Sequence, residues 1–257
     1  MNRIDKLFGS NRERLLSIYF CAGAPKLDGT AEVIRTLARE GVDMIEVGIP
    51  FSDPIADGPV IQAAASQALR NGMSLELLFR QLEGIRKDVD IPLILMGYLN
   101  PVAHYGFEAF CRRCQEVGVD GLILPDLPFK DYLESYKAVA ERYGLHFIML
   151  ITPETSEERV RLIDANTSGF IYMVSSAATT GAQKDFDARK QAYFQKINDM
   201  QLRLPRMVGF GISNKQTFDA ACKSAAGGII GSRFVTLLDQ YDGNAGRAIR
   251  HLKEDIG

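Results

Sequence analysis

The sequence predicts an α/β fold, a closed (β/α)8 TIM-type barrel with an extra N-terminal helix, and three observations predict it. Its strand-like segments are continuous apolar runs rather than alternating ones, which marks burial on both faces of a parallel sheet. A helix-patterned segment separates neighbouring runs, as parallel crossovers require. Eight such units fill the 257 residues, a length at which a barrel of this kind is complete. An open doubly wound sheet is the alternative arrangement of the same elements. No Pro/Gly/Ser-rich linker or long charge block divides the chain, so residues 1–257 are expected to form one domain.

Taken in order, an amphipathic helix is expected first, followed by LLSIYFCAG as strand one. Asp28 is the expected N-cap of the next helix, with Val33, Ile34, Leu37 and Ala38 at helical spacing and Gly41 as its stop. MIEVGIP is strand two. Pro59 suits the first turn of an alanine-rich helix, and a second helix carries Leu75, Leu78, Leu82 and Ile85. IPLILMGY is strand three, followed by a helix with Phe107, Phe110, Cys111, Cys114 and Val117 inward and Gly118 at its end. GLILPD is strand four, and Tyr132, Leu133, Tyr136 and Val139 mark its helix. HFIMLIT is strand five, with a capping box from Thr155 to Glu158 opening the helix after it. GFIYMVS and RMVGFGI are strands six and seven; a second capping box, Ser213 to Gln216, precedes Phe218, Ala221 and Cys222. GGIIGS is strand eight, and a helix around Ala248, Ile249 and Leu252 closes the chain.

Thirty basic against 32 acidic residues, a formal charge of -2, leave no broad electropositive footprint for nucleic acid or an anionic membrane. Four scattered cysteines are too few to staple the chain, and no apolar run approaches the ~18 residues of a membrane span. The N-terminal segment mixes both signs of charge without a signal-peptide core. These features point to a reduced, cytoplasmic protein acting on a small molecule or another protein. The chain contains no tryptophan.

In a barrel the chemistry sits at the carboxyl ends of the strands. GFGIS ends strand seven with Gly209 and Gly211, and IIGS ends strand eight with Gly231 and Ser232. Glycines let backbone N–H groups approach an anion, and a helix start adds positive dipole, so the pair of loops reads as a phosphate-monoester site. Glu46 lies within the apolar strand MIEVGIP, and Asp57 follows in the loop FSDPIADGP. A carboxylate in a buried strand either has a partner or a raised pKa suited to moving protons. For Asp57, helix N-terminal stabilisation is the competing reading; Asp53 is a weaker candidate, and for Asp126, at the end of strand four, turn formation or partner contact competes with catalysis. No predicted strand holds a lysine for imine chemistry, and His104, His146 and His251 lie too far apart in the barrel for a metal site. Cys111 and Cys114 spell CxxC mid-helix on an apolar face, which reads as core packing. No dinucleotide or P-loop fingerprint is present. Carboxylate chemistry on a phosphorylated substrate remains.

The segment EVGIPFSDPIADGPVIQ, from Glu46 through Asp57, Gly58 and Pro59, closely resembles the signature of the tryptophan synthase alpha chain family. FCAGAP, MGYLNP, LPDLP, TTGA, GFGIS and IIGS fall in that family's order, so the resemblance spans essentially the whole chain. It implies retro-aldol cleavage of indole-3-glycerol phosphate to indole and glyceraldehyde 3-phosphate, with indole passed to a beta chain that condenses it with serine. Glu46 is then the general acid/base and Asp57 the counter-charge to the indole nitrogen. Gly181, Gly211, Gly231 and Ser232 hold the phosphate; Tyr19, Tyr172 and Phe210 line the indole pocket; Thr180 belongs to a mobile lid. In that lid the chain reads SSAATTG from Ser175 to Gly181, where many members carry an arginine and a further glycine. The resemblance further implies an alpha-beta-beta-alpha heterotetramer whose pyridoxal phosphate belongs to the beta chain, with no cofactor or metal here. Asp53, Pro54, Asn100, Pro101 and Pro128 match its docking face. A free-standing indole-releasing lyase and a catalytically silent docking subunit are the alternatives.

Overall fold

The computed structural model describes residues 1–10, 12–175 and 188–257, and side chains in the last segment from residue 191. Thr180 and Gly181 therefore lie outside the described residues. The strands are β1 Leu15–Cys21, β2 Met44–Gly48, β3 Leu93–Met96, β4 Gly121–Ile123, β5 His146–Phe147, β6 Met149–Ile151, β7 Ile171–Val174, β8 Arg206–Gly209 and β9 Gly227–Ile230. The helices are α1 Arg3–Gly9, α2 Thr30–Arg39, α3 Pro59–Arg70, α4 Leu75–Leu82, α5 Leu99–Tyr105 and α6 Phe107–Val117. Then come α7 Phe129–Asp131, continued by a π-helical turn Tyr132–Tyr136 into α8 Lys137–Arg142, and α9 Glu157–Asn166. The remainder are α10 Ala188–Asp199, α11 Lys215–Ser224, α12 Ser232–Gln240 and α13 Ala245–Ile256.

All ladders are parallel, in the order β5-β4-β3-β2-β1-β9-β8-β7-β6. The two ends of that order, β5 and β6, are parts of the same predicted strand, HFIMLIT. His146–Phe147 pairs with β4, Met149–Ile151 pairs with β7, and Ile148 N–H donates to Leu122 O at 2.9 Å between them. The strand breaks where it hands its hydrogen bonds from one neighbour to the other, and that handover closes the ring. Nine segments thus make eight barrel strands, and the closed barrel, not the open sheet, is the fold.

Alternation along each strand sends residues to two cores. Outward side chains such as Ile45 and Val47 pack beneath the helices. Inward ones, including Leu15, Met44, Ile94, Met96, Ile123, Met207 and Ile229, fill the barrel. Helix α1 plugs its lower end: Ile4 and Leu7 join the inner cluster, and the Phe8 ring packs 5.7 Å from Phe170. Asn2 caps this helix by accepting from Ile4 N–H at 2.9 Å, and its Nδ2 donates to Asp120 O at 2.8 Å. Below β3, buried Asp120 accepts from Leu93 N–H at 2.9 Å and pairs with both Arg3 and Arg86. Burial lowers the Arg86 guanidinium to about 10, against the pull of Asp120.

Three expected caps move. Asp28 lies inside a 3-10 turn, Leu27–Gly29, and Gly29 stands at the α2 N-cap without a side-chain bond. Ser156, not Thr155, caps α9 by accepting from Arg159 N–H at 3.2 Å, because Thr155 is occupied by Thr152 N–H at 2.9 Å. Asn214 and Thr217 form the α11 capping box one residue beyond the predicted Ser213–Gln216 pair. Helix α5 was not expected, and it carries His104, expected in a loop, in its last turn. After GGIIGS comes helix α12, nine residues long, with Phe234, Leu237 and Leu238 buried. Among the described residues, no helix is long and apolar enough to cross a membrane.

Candidate active site

Glu46 shares the inward face of β2 with Met44, one layer nearer the barrel mouth. Its side chain is fully buried. Ser17, on the inward face of β1, donates to Glu46 Oε1 at 3.1 Å, and Oε2 has no hydrogen-bond partner among the described residues. Burial pushes the carboxyl up to about 8, with the Ser17 bond opposing the shift. Glu46 therefore has both properties that a buried carboxylate was expected to choose between: a partner for one oxygen and a raised pKa.

Asp57 sits in the loop between β2 and α3. Its Oδ2 accepts from the Tyr98 hydroxyl at 2.8 Å, and that hydroxyl accepts from Ala56 N–H at 3.0 Å. The Tyr98 ring packs 5.4 Å from Phe51, so one side chain ties the loop in three places. Burial raises the Asp57 carboxyl above its ordinary range and the Tyr98 bond opposes this. Gly58 is the α3 N-cap, without a side-chain bond, so the Asp57 carboxylate serves Tyr98 rather than the helix start.

A cavity of about 510 Å3, including its open mouth, lies at the carboxyl ends of the strands. Tyr19, Tyr172 and Phe210 form an aromatic wall, with Tyr172 and Phe210 edge-on at 5.9 Å and 73°. Asp57 reaches the wall; Glu46 does not, although its charge is felt by the phenols of both Tyr19 and Tyr172. The glycine loops line the same cavity. Gly211 lines it at φ 76°, preceded by Phe210 in the same left-handed region at φ 66°. Gly231 is the N-cap of α12 and Ser232 its first residue, both lining the cavity where the helix's first N–H groups have no intrahelical acceptor. Arg233 lines the same rim with its guanidinium held by Asp255 at 2.6 Å.

Two glycines prove to be seats for aromatic side chains. A Cβ on Gly209 would stand 2.1 Å from the Tyr172 hydroxyl, and one on Gly48 2.2 Å from that of Tyr19. Gly209, read from sequence as part of the anion loop, makes room for Tyr172 instead. Sequence reasoning missed Ser17, Gly48 and Tyr98; a serine inside the buried run LLSIYFC was the one available signal.

The expected docking residues cluster at the same end of the barrel. Asp53 is exposed beside Ile55, which is 78% exposed, and Pro54 is half-buried. Asn100 and Pro101 join Phe51 and Ser52 along a surface groove of about 1090 Å3, whereas Pro128 stands exposed at the start of α7. Asp126 accepts from Leu99 N–H at 2.9 Å, tying the loop after β4 to the start of α5. His146 bonds Asp5 and Ser168 away from the cavity, and His251 bonds Tyr241 and stands behind the rim residue Arg233 at 3.5 Å, without lining the cavity itself. Cys111 and Cys114 are buried in the core.

The family model described as "Tryptophan synthase alpha chain" matches residues 6–256. The chain is 68% identical over 256 residues to the tryptophan synthase alpha chain of Bacteroides thetaiotaomicron, covering 100% of both. It is 66% identical to that of Phocaeicola vulgatus, covering 100% of this chain and 99% of the relative. It superposes on the crystal structure of tryptophan synthase subunit alpha from Legionella pneumophila with a TM-score of 0.86 at 34% identity, covering 100% of both chains.

Proposed function

The chain belongs to the tryptophan synthase alpha chain family, and from that premise we propose which of its residues carry the reaction. The reaction itself is the family's: a carbon–carbon lyase step cleaving indole-3-glycerol phosphate to indole and glyceraldehyde 3-phosphate, in the biosynthesis of tryptophan. The partner is the beta chain, which holds the pyridoxal phosphate; this chain needs no cofactor of its own.

The observation that carries the assignment is a pair of carboxyl groups set apart by environment at one cavity. Glu46 is neutral at pH 7 because burial places it near 8, whereas Asp57 keeps a hydroxyl donor and a place in the cavity wall. A neutral acid and a second carboxyl group whose hydroxyl donor favours its ionised form match the demands of this cleavage. Glu46 gives its proton to indole C3, and the ring nitrogen becomes a cationic iminium facing the Asp57 carboxylate. The adjacent glycerol hydroxyl then returns a proton to the Glu46 carboxylate as its oxygen becomes the aldehyde of glyceraldehyde 3-phosphate. The carbon–carbon electron pair collapses into the ring and neutralises the nitrogen. Because the ligand-free carboxyl is covered, contact with substrate requires a neighbouring tyrosine ring to move aside.

Gly211, Gly231 and Ser232, with the first turn of α12, receive the phosphate, and the Tyr19, Tyr172 and Phe210 wall receives the indole. Thr180 and Gly181 are assigned to the lid and the phosphate by resemblance alone. The whole chain, 1–257, acts as one barrel domain in the cytoplasm. Asp53, Pro54, Asn100, Pro101 and Pro128 form the face that meets the beta chain in an alpha-beta-beta-alpha heterotetramer. The test is release of indole from indole-3-glycerol phosphate by the purified chain, alone and with a beta chain. Indole is expected in both, faster in the complex; none in either sinks the reading.

A further inference from the structure

Strand β1 sets one hydroxyl against the buried carboxyl. Ser17 is fully buried, which costs free energy unless its hydroxyl is bonded, and Glu46 Oε1 at 3.1 Å is its partner. The Ser17 hydrogen has no other acceptor among its recorded bonds, so Ser17 donates and Oε1 accepts. The acidic proton of neutral Glu46 then belongs on Oε2, the oxygen with no protein partner among the described residues.

We propose that Ser17 is a positioning residue for the reaction, fixing the transferable proton of Glu46 on Oε2 and holding the carboxyl in one orientation. The inference rests on Glu46 being the acid/base. Without the serine, the two carboxyl oxygens become equivalent and the group is free to turn, so the proton is presented to substrate only part of the time. The same bond favours the ionised form, so it keeps the carboxyl from rising as far as burial alone would drive it.

The other groups facing Glu46 do not duplicate this. Tyr19 from β1, Tyr172 from β7 and Asp57 from the β2–α3 loop are the titratable neighbours, and none donates a hydrogen bond to it. On β3 its register partner is the apolar Ile94, which shares the inner cluster with Met96. Among the described residues, no basic side chain pairs with it. One neutral donor therefore sets both the direction and the readiness of the acid.

The test compares Ser17→Ala, Ser17→Thr and Glu46→Gln in the full chain, by infrared spectroscopy of the free chain and by turnover of the complex with beta chain. The carbonyl band of a protonated carboxylic acid that disappears in Glu46→Gln identifies Glu46. In Ser17→Ala that band moves to higher frequency, and its titration midpoint rises by about half to one pH unit. The kcat falls about tenfold or more with KM nearly unchanged, since Ser17 does not line the cavity. The alkaline limb of the kcat profile shifts upward with the midpoint. Ser17→Thr, which keeps the hydroxyl, restores band, midpoint and rate; a merely structural serine would move neither band nor limb. If Glu46→Gln abolishes turnover while Ser17→Ala leaves band and limb unmoved, this inference fails alone. Near-normal turnover in Glu46→Gln would bring down the acid/base reading and this inference with it.

Discussion

Replacing Glu46 with glutamine should silence the enzyme and, at alkaline pH, make it harder to unfold. An ordinary carboxyl titrates near 4.5, whereas this one is pushed to about 8 by burial. The folded chain thus holds a proton that the unfolded chain releases. The stability attached to that proton is fully present below about 4.5 and is lost as pH rises toward 8. Each pH unit in that window corresponds to about 1.4 kcal/mol, so ionising Glu46 costs the fold roughly 5 kcal/mol, a large share of what a domain of this size possesses. Glutamine never ionises, so the cost is absent. Any fixed penalty of its amide is the same at every pH and cancels when the variant is compared with itself. The stability of Glu46→Gln relative to the unmodified chain should therefore increase by roughly 3 kcal/mol between about pH 5.5 and 8.5. Urea or guanidinium unfolding at the two pH values measures it, with the unchanged slope in denaturant confirming a common two-state transition. Indole release on the same samples should fall by ~100-fold or more. A stability difference that is flat across this range would refute the raised carboxyl, and with it the reason for expecting a proton donor at neutral pH.

Tyr98→Phe removes the donor to Asp57 and the acceptor of Ala56 N–H while keeping the ring on Phe51. Bonds to charged groups are worth ~1.5–3 kcal/mol, so kcat/KM should drop ~10–100-fold. The acid limb should move up, because Asp57 loses the bond that opposes its raised pKa; a loss below about twofold with an unmoved limb would remove Tyr98 from the site. At Gly231 the three atoms nearest an added Cβ all belong to Tyr19, none closer than 3.4 Å, so Gly231→Val should fold and project into the cavity. The expected outcome is a KM for indole-3-glycerol phosphate raised ~10-fold or more, and an unchanged KM would count against the phosphate rim. Arg86→Met strips buried Asp120 of one partner and frees the Gly118 and Ile91 carbonyls it holds at 2.8 and 2.7 Å. That should cost ~3–5 kcal/mol in chemical denaturation with KM preserved, the pair lying at the end of the barrel away from the cavity; less than ~1 kcal/mol would show that other donors replace it.

The barrel was legible because burial on both faces writes itself as uninterrupted apolar runs, and helix faces as spaced ones. The break in HFIMLIT was not, since it depends on a change of neighbour at Ile148 that no local pattern encodes. The α9 and α11 caps moved by one residue because Thr155 and Ser156, and Ser213 and Asn214, are adjacent residues of equal chemical suitability, and local bonds three residues apart chose between them. Glu46 and Asp57 were readable as charges in places that disfavour charge. Ser17 and Tyr98 were not, because each acts through a residue 29 or 41 positions away. Gly209 was misread for a related reason: next to a glycine-rich strand end, the seat of a tyrosine ring and an anion loop look alike until Tyr172 is in place.

Helix α1, lodged under the barrel with Ile4, Leu7 and Phe8 against the inner cluster, turns a tube into a cup. Among the described residues, that cup opens at its mouth. The reactant must descend and both fragments must climb out by the same route. Whatever protein surface covers that opening intercepts the fragment by geometry, so efficient delivery demands no affinity for indole on the lid of the cup, only a continuous wall around its lip.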